Sequence, residues 1–171
     1  MTTKTPTIVF KRVIPASPAE VYAAWTQPDV IRQWLAPGEN QVLDAQSDVR
    51  VGGSFRIRSR APDGVVHTID GEYRALVPAQ RILMTWSYSG PIALLCSMET
   101  LLEVVMHEAA PGETVMTVTQ SGFATSDAAD AYGEGWPTCF DKLERAMTDE
   151  HNNKNATDGG MHNAGESDTN T

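Results

Sequence analysis

Residues 127–147 read DAADAYGEGWPTCFDKLERAM, and their spacing decides the fold. Large apolar side chains recur at Tyr132, Trp136, Cys139 and Phe140, Leu143 and Met147, in steps of three or four. That is one stripe of a helix with a period of 3.6 residues. Glu134, Asp141, Lys142, Glu144 and Arg145 take the other side, with Asp141 and Arg145 at the i,i+4 distance. A one-sided helix is not stable alone in water and must lie on a surface. Pro137 interrupts the stripe, with Gly133 and Gly135 just before it. An interior proline removes one helical hydrogen bond and crowds the preceding turn. A bend is therefore expected between Gly133 and Pro137, with Trp136 at the bend and firm packing after it.

The surface for that helix lies upstream. From Gln41 to Gly122 the apolar period is two, the spacing of strands with one buried face. Phe55 and Ile57 alternate with Arg56 and Arg58; Ile69, Gly71 and Tyr73 alternate with Asp70, Glu72 and Arg74. Ile82, Met84 and Trp86 share a face. Ala61-Pro62-Asp63-Gly64, Val77-Pro78-Ala79-Gln80 and Pro111-Gly112 are turn sequences between these runs. Strands joined by short turns, with no helices between them, form an antiparallel sheet. A long meander with large apolar residues on one face curls around what it packs on.

Before the meander, Thr7 to Ile14 reads as a first strand. Ser17-Pro18-Ala19-Glu20 then places serine at N-cap, proline at N1 and glutamate at N3, a capping box that starts a helix. Val21, Ala24 and Trp25 form its inner face, and a second short helix from Asp29 to Leu35 turns Ile31, Trp34 and Leu35 inward. The expected fold is α+β: a curved antiparallel sheet of six to seven strands wrapped around a long C-terminal helix, with two short helices after the first strand. Residues 1–148 make one domain. After Met147 the chain loses apolar residues and periodicity, so 149–171 is expected to be a disordered polar acidic tail.

The chain has 171 residues and a formal net charge of -9, which argues against a nucleic-acid surface and against adsorption to anionic lipid. No apolar run is long enough to span a bilayer, and MTTKTPTIVF lacks the apolar core of a signal peptide, so the cytoplasm is the expected setting. Two cysteines, Cys96 and Cys139, are too few for a disulfide framework and are read as reduced core residues.

In order and spacing, several stretches resemble one known family. They are residues 17–26 (SPAEVYAAWT), Gly52-Gly53-Ser54-Phe55-Arg56, Gly71-Glu72-Tyr73-Arg74 with Val77-Pro78-Ala79-Gln80-Arg81, Thr119-Gln120-Ser121-Gly122-Phe123, and Gly135-Trp136. Together they resemble the START-like helix-grip (SRPBCC) superfamily, in the branch homologous to the C-terminal domain of the heat-shock-protein-90 ATPase activator. The resemblance spans about Thr7 to Met147. It implies a helix-grip fold with a ligand cavity between helix and sheet, and it raises the alternative of a chaperone co-factor acting in stress responses. It also admits enzymes of cyclase or hydrolase type. Pro137, the apolar connection Ile92-Ala93-Leu94-Leu95-Cys96 and the charged tail depart from the family pattern.

Alternation names the residues that face the helix: Trp25, Trp34, Phe55, Ile57, Tyr73, Met84, Trp86, Leu102, Val104, Met116, Val118, Gln120, Trp136, Cys139 and Phe140. Large aromatics with a few polar groups describe a ligand pocket, and equally a filled core. Gln120 is the polar member. An amide inside needs partners from Tyr73, the Trp136 indole or a ligand. No Gly-x-Ser-x-Gly, phosphate loop or His-Glu-x-x-His appears, so no catalytic residue is assigned. Glu99, Glu103 and His107 share a strand face, but successive members stand about 13 Å apart, too far for a metal site. His67 is read as facing solvent. Leu101 and Val105 share the outward parity and hint at a protein contact. The expected function is non-enzymatic binding of a small apolar or amphipathic molecule, without cofactor or metal. A chaperone contact, or self-association through the sheet, is the alternative partner.

Overall fold

The computed structural model describes residues 6–160. Its elements in chain order are β1 (Thr7–Ile14), α1 (Pro18–Thr26), α2 (Pro28–Ile31), β2 (Gln41–Ser47), β3 (Ser54–Arg60), β4 (Val66–Val77), β5 (Arg81–Ser89), a 3-10 turn (Ala93–Leu95), β6 (Glu99–Ala110), β7 (Glu113–Ser121) and α3 (Ser126–Gly160). The seven strands form one curved antiparallel sheet in the order β1-β7-β6-β5-β4-β3-β2. β2 to β7 follow one another as a meander. α1 and α2 carry the chain from β1, beside β7, across to β2 at the opposite edge. Register shifts at Val42/Asp44, Tyr73/Ala75 and Glu108/Ala110 add local twist and help the sheet curl.

The capping box is present as the sequence predicts. Glu20 N donates to Ser17 Oγ and Ser17 N donates to Glu20 Oε1, each at 3.2 Å. Val21, Ala24 and Trp25 are buried, and the Trp34 indole donates to Ala24 O at 2.9 Å, which locks α1 to the turn after α2. In the sheet, Phe55 lies opposite Gly71. A Cβ on Gly71 would come within 2.4 Å of the Phe55 ring, so only glycine lets that ring lie on the strand.

α3 differs from expectation at Pro137 and at its end. The helix continues without interruption from Ser126 to Gly160, so the bend expected between Gly133 and Pro137 does not break it. Three features accommodate the proline. Gly133, whose carbonyl Pro137 cannot serve, has no side chain to crowd the turn, and a Cβ there would meet nothing within 4 Å. Thr138 Oγ1 donates to Gly135 O at 2.6 Å. On the outer side Arg12 donates to Pro137 O at 3.3 Å while its guanidinium pairs with Asp141 and Glu144 at 2.7 and 3.2 Å. Tertiary packing thus overrides the local preference of one residue. The helix also runs past Met147, where the sequence reading starts a disordered tail. His151 Nε2 lies 2.9 Å from Glu20 Oε2, and Lys154 pairs with Glu150 one turn back at 3.4 Å. Residues 161–171 of the expected tail lie outside the described residues.

Candidate ligand pocket

The interior between α3 and the sheet is closed at one end and open at the other. At the closed end Trp25 meets Trp34 edge-on with centroids 4.8 Å apart, Trp136 stacks on Phe140 at 5.5 Å, and Phe140 and Leu143 are fully buried. The Trp25 indole points to Met116 Sδ at 3.3 Å. These groups leave no space for a guest.

The open end holds a cavity of about 420 Å³. Its helix wall is built on Ala131, Tyr132, Gly135, Trp136 and Cys139; its sheet wall runs from Ile57 and Ser59 through His67 and Ile69 to Trp86 and Tyr88. Ile92 and Leu95 cover one side, and the segment 35–40 forms the rim opposite. The space exists because α3 presents small residues there. Two of its wall residues, Ala131 and Gly135, add little bulk beside Tyr132, Trp136 and Cys139. The rim segment is strapped to α3: Gly38 N donates to Thr138 Oγ1 at 2.8 Å, and Lys142 Nζ donates to Ala36 O at 2.6 Å and Asn40 O at 3.0 Å. Burial holds the Lys142 ammonium below its ordinary pKa.

Of the fifteen residues that alternation turns inward, Ile57, Trp86, Trp136 and Cys139 reach the cavity. Trp25, Trp34, Met116 and Phe140 pack the closed end. Phe55 and Tyr73 form an aromatic layer beside Trp86, with centroids 5.3 and 5.7 Å from Phe55. Met84, Leu102, Val104 and Val118 are sheet residues in the core, none more than 1% exposed. Gln120 is a core hydrogen-bond node. Trp136 Nε1 donates to Gln120 Oε1, Gln120 Nε2 donates to Thr100 Oγ1, and Thr100 Oγ1 donates to Trp86 O, each at 2.8 Å. The indole can only donate, which fixes the orientation of the amide.

Polar wall residues absent from that set include His67, Tyr88 and Tyr132. His67, read as facing solvent, is partly buried on the cavity wall, with Nδ1 2.7 Å from the Tyr88 hydroxyl. It stands opposite Ser59, two residues from the Ile57–Ile69 pair, and so shares their face. The signal was its parity with Ile69 and Tyr73. Tyr88 lies two residues past Trp86 on the same face of β5. Tyr132 belongs to the α3 stripe; its hydroxyl is buried with no hydrogen-bond partner among the described residues. Burial raises the Tyr132 and Tyr88 hydroxyls above their ordinary pKa and pushes the Cys139 thiol up to about 12. Cys139 is therefore an inert wall residue. Cys96, read as core, is only half-buried, its Sγ donating to Gly90 O at 3.3 Å.

Among the described residues no group of three or more His, Cys, Asp or Glu is placed to hold a metal, and no helix is long and apolar enough to cross a membrane. The model of one protein family, Activator of Hsp90 ATPase homolog 1-like protein, matches residues 15–148. Curated proteins give no match. Solved structures do. An uncharacterized protein of Rhizobium leguminosarum is 31% identical, with a TM-score of 0.68 over 85% of this chain and 95% of its own. Protein MLL2253 of Mesorhizobium loti is 29% identical, with a TM-score of 0.65 over 84% and 97%. The AHSA1 protein of Silicibacter pomeroyi shares the fold at 17% identity, with a TM-score of 0.72 over 85% and 100%.

Proposed function

This chain belongs to the Activator of Hsp90 ATPase homolog 1-like protein family, in the SRPBCC helix-grip superfamily, and we propose that it binds a small apolar or amphipathic molecule. The family fold is that of a ligand-binding or co-chaperone-like domain. One observation favours ligand binding: a cavity of about 420 Å³ persists at one end of an interior that is otherwise tightly packed. A concave space with an apolar wall and a few convergent polar groups is what a small-molecule site requires.

The test is titration of the protein with a panel of hydrophobic ligands, read by tryptophan fluorescence. Trp86 and Trp136 line the cavity whereas Trp25 and Trp34 do not, so a Trp25→Phe, Trp34→Phe double variant should keep the response. Ala131→Phe fills the space from the helix side and should abolish it. A folded protein whose fluorescence ignores the whole panel would end this reading. In this reading the protein works in the cytoplasm with both cysteines reduced, and it needs no cofactor.

A co-chaperone-like contact is the second reading, favoured by the outer face of the sheet. Val9 and Val13 on β1 are 60% and 55% exposed, and Leu101 on β6 is 39% exposed. Val9→Ser with Val13→Ser should weaken binding to a purified chaperone ATPase, or a self-association seen by sedimentation, and leave the cavity untouched. Unchanged binding in that variant would remove the sheet face as the contact.

A further inference from the structure

Resting on the pocket reading, we infer that the cavity selects an uncharged molecule with an apolar body and one acceptor oxygen, such as a ketone or ester, and rejects the matching carboxylate. Charge is the first ground. The cavity lining contains Glu39 and Glu134 but neither lysine nor arginine. Lys142, which straps the rim segment, is engaged by the carbonyls of Ala36 and Asn40 and does not line the cavity. An anion entering the cavity loses hydration, meets like charge on the lining and gains no cation.

Donor chemistry is the second ground. The Tyr88 oxygen accepts from Ile92 N at 3.3 Å and stands 2.7 Å from His67 Nδ1, to which we assign its hydroxyl hydrogen. That arrangement makes Nδ1 the acceptor and leaves the imidazole hydrogen on Nε2. Nε2–H finds no acceptor among the described residues. The hydroxyl of Tyr132, a residue of the helix wall, is likewise unpartnered but is shut off from solvent. The Nε2–H on the sheet wall calls for an acceptor, and an uncharged oxygen satisfies it without carrying charge past the rim. Trp86 and Trp136, in contact with centroids 5.3 Å apart and planes tilted by 48°, give the cavity an aromatic surface for an apolar body.

Three ligands of nearly one shape separate these effects: 2-ethylnaphthalene, 2-acetylnaphthalene and 2-naphthoate, measured by equilibrium dialysis at a pH of about 8. The ketone should bind about five-fold tighter than the hydrocarbon, the worth of one net hydrogen bond. The carboxylate should bind at least about ten-fold weaker than the ketone. His67→Phe should bring the ketone-to-hydrocarbon ratio towards one; retained hydrocarbon binding in that variant reports an intact cavity. Glu39→Gln with Glu134→Gln should narrow the gap to the carboxylate. If the hydrocarbon binds but the ketone gains nothing, or the carboxylate matches it, the selectivity is overturned and the pocket stands. If none of the three binds, the pocket reading falls, and this inference with it.

Discussion

The two ends of the helix–sheet interface are built on the same scaffold and come out differently. From Trp136 onwards α3 sets Phe140, Leu143 and Met147 against the sheet, each at most 1% exposed. Before Trp136 it offers Ala131 and Gly135 beside a single large side chain, Tyr132, and the opposing strands do not close the gap. Large side chains project from β3 and β5 at both ends; the difference lies in what the helix sends to meet them. A cavity here is the absence of bulk on one helix face, and Trp136 marks the boundary. Its indole is tied through Gln120 and Thr100 to the Trp86 carbonyl. The residue that ends the packed region is therefore held in place by a buried polar chain.

The largest effect should come from breaking the packed end. Phe140→Ala removes a fully buried ring stacked on Trp136 and should cost about 3–5 kcal/mol in urea unfolding, because the rigid surroundings close only partly over the void. A loss no larger than that of an exposed site would mean that this end is as loose as the other. Next is the boundary. Gln120→Leu keeps the volume but leaves the Trp136 indole and the Thr100 hydroxyl short of partners, for a loss of about 1–3 kcal/mol. The ligand response should weaken as well, since Trp136 is then free to tilt into the cavity.

At the open end the same kind of change should do little to stability. Ala131→Phe adds a ring where there is empty space, so the unfolding free energy should move by about 1 kcal/mol or less, in either direction, while ligand binding disappears. A destabilisation as large as that of Phe140→Ala would show the space to be already filled, and would erase the contrast between the two ends.

How far this contrast could be read from sequence depends on what periodicity measures. Period two located every strand, and the box from Ser17 to Glu20 located α1, because both patterns are local. Alternation assigns a face, though, and says nothing of depth along it. Tyr73, Val104 and Ile57 all point inward, yet only Ile57 meets the cavity, because whether an inward residue is covered depends on its partner across the interface. That pairing joins β3 to Ala131 and Gly135 across more than seventy residues of chain. His67 was legible by parity and was misassigned by its polar character. Pro137 misled in the opposite way. The local rule is sound, but Arg12 and Thr138 supply contacts that only the folded chain brings together.

The smallest expected effect lies where the packed end runs on past Met147. Glu20 belongs to α1, yet its carboxylate also meets His151 on α3 at 2.9 Å. Burial raises its pKa, but the hydrogen bond from His151 and those from the Ser17 backbone and side chain outweigh that and leave it lowered. A carboxylate whose folded pKa lies below its unfolded value, near 4.5, stabilises the protein above that value. The contribution is lost as pH falls through the lower, folded pKa. Glu20→Gln retains an acceptor for the Ser17 N–H, so the capping box survives and the variant isolates the charge. At neutral pH it should lose less than about 1 kcal/mol, as expected for a partly exposed pair. As the pH falls through that folded pKa the variant and the parent should converge. Amide exchange in residues 149–154 should quicken in the variant while that around Phe140 stays slow. Equal protection in both proteins would mean that the helix beyond Met147 is held by its own i,i+4 pair of Glu150 and Lys154, and that the packed end stops where its large side chains stop.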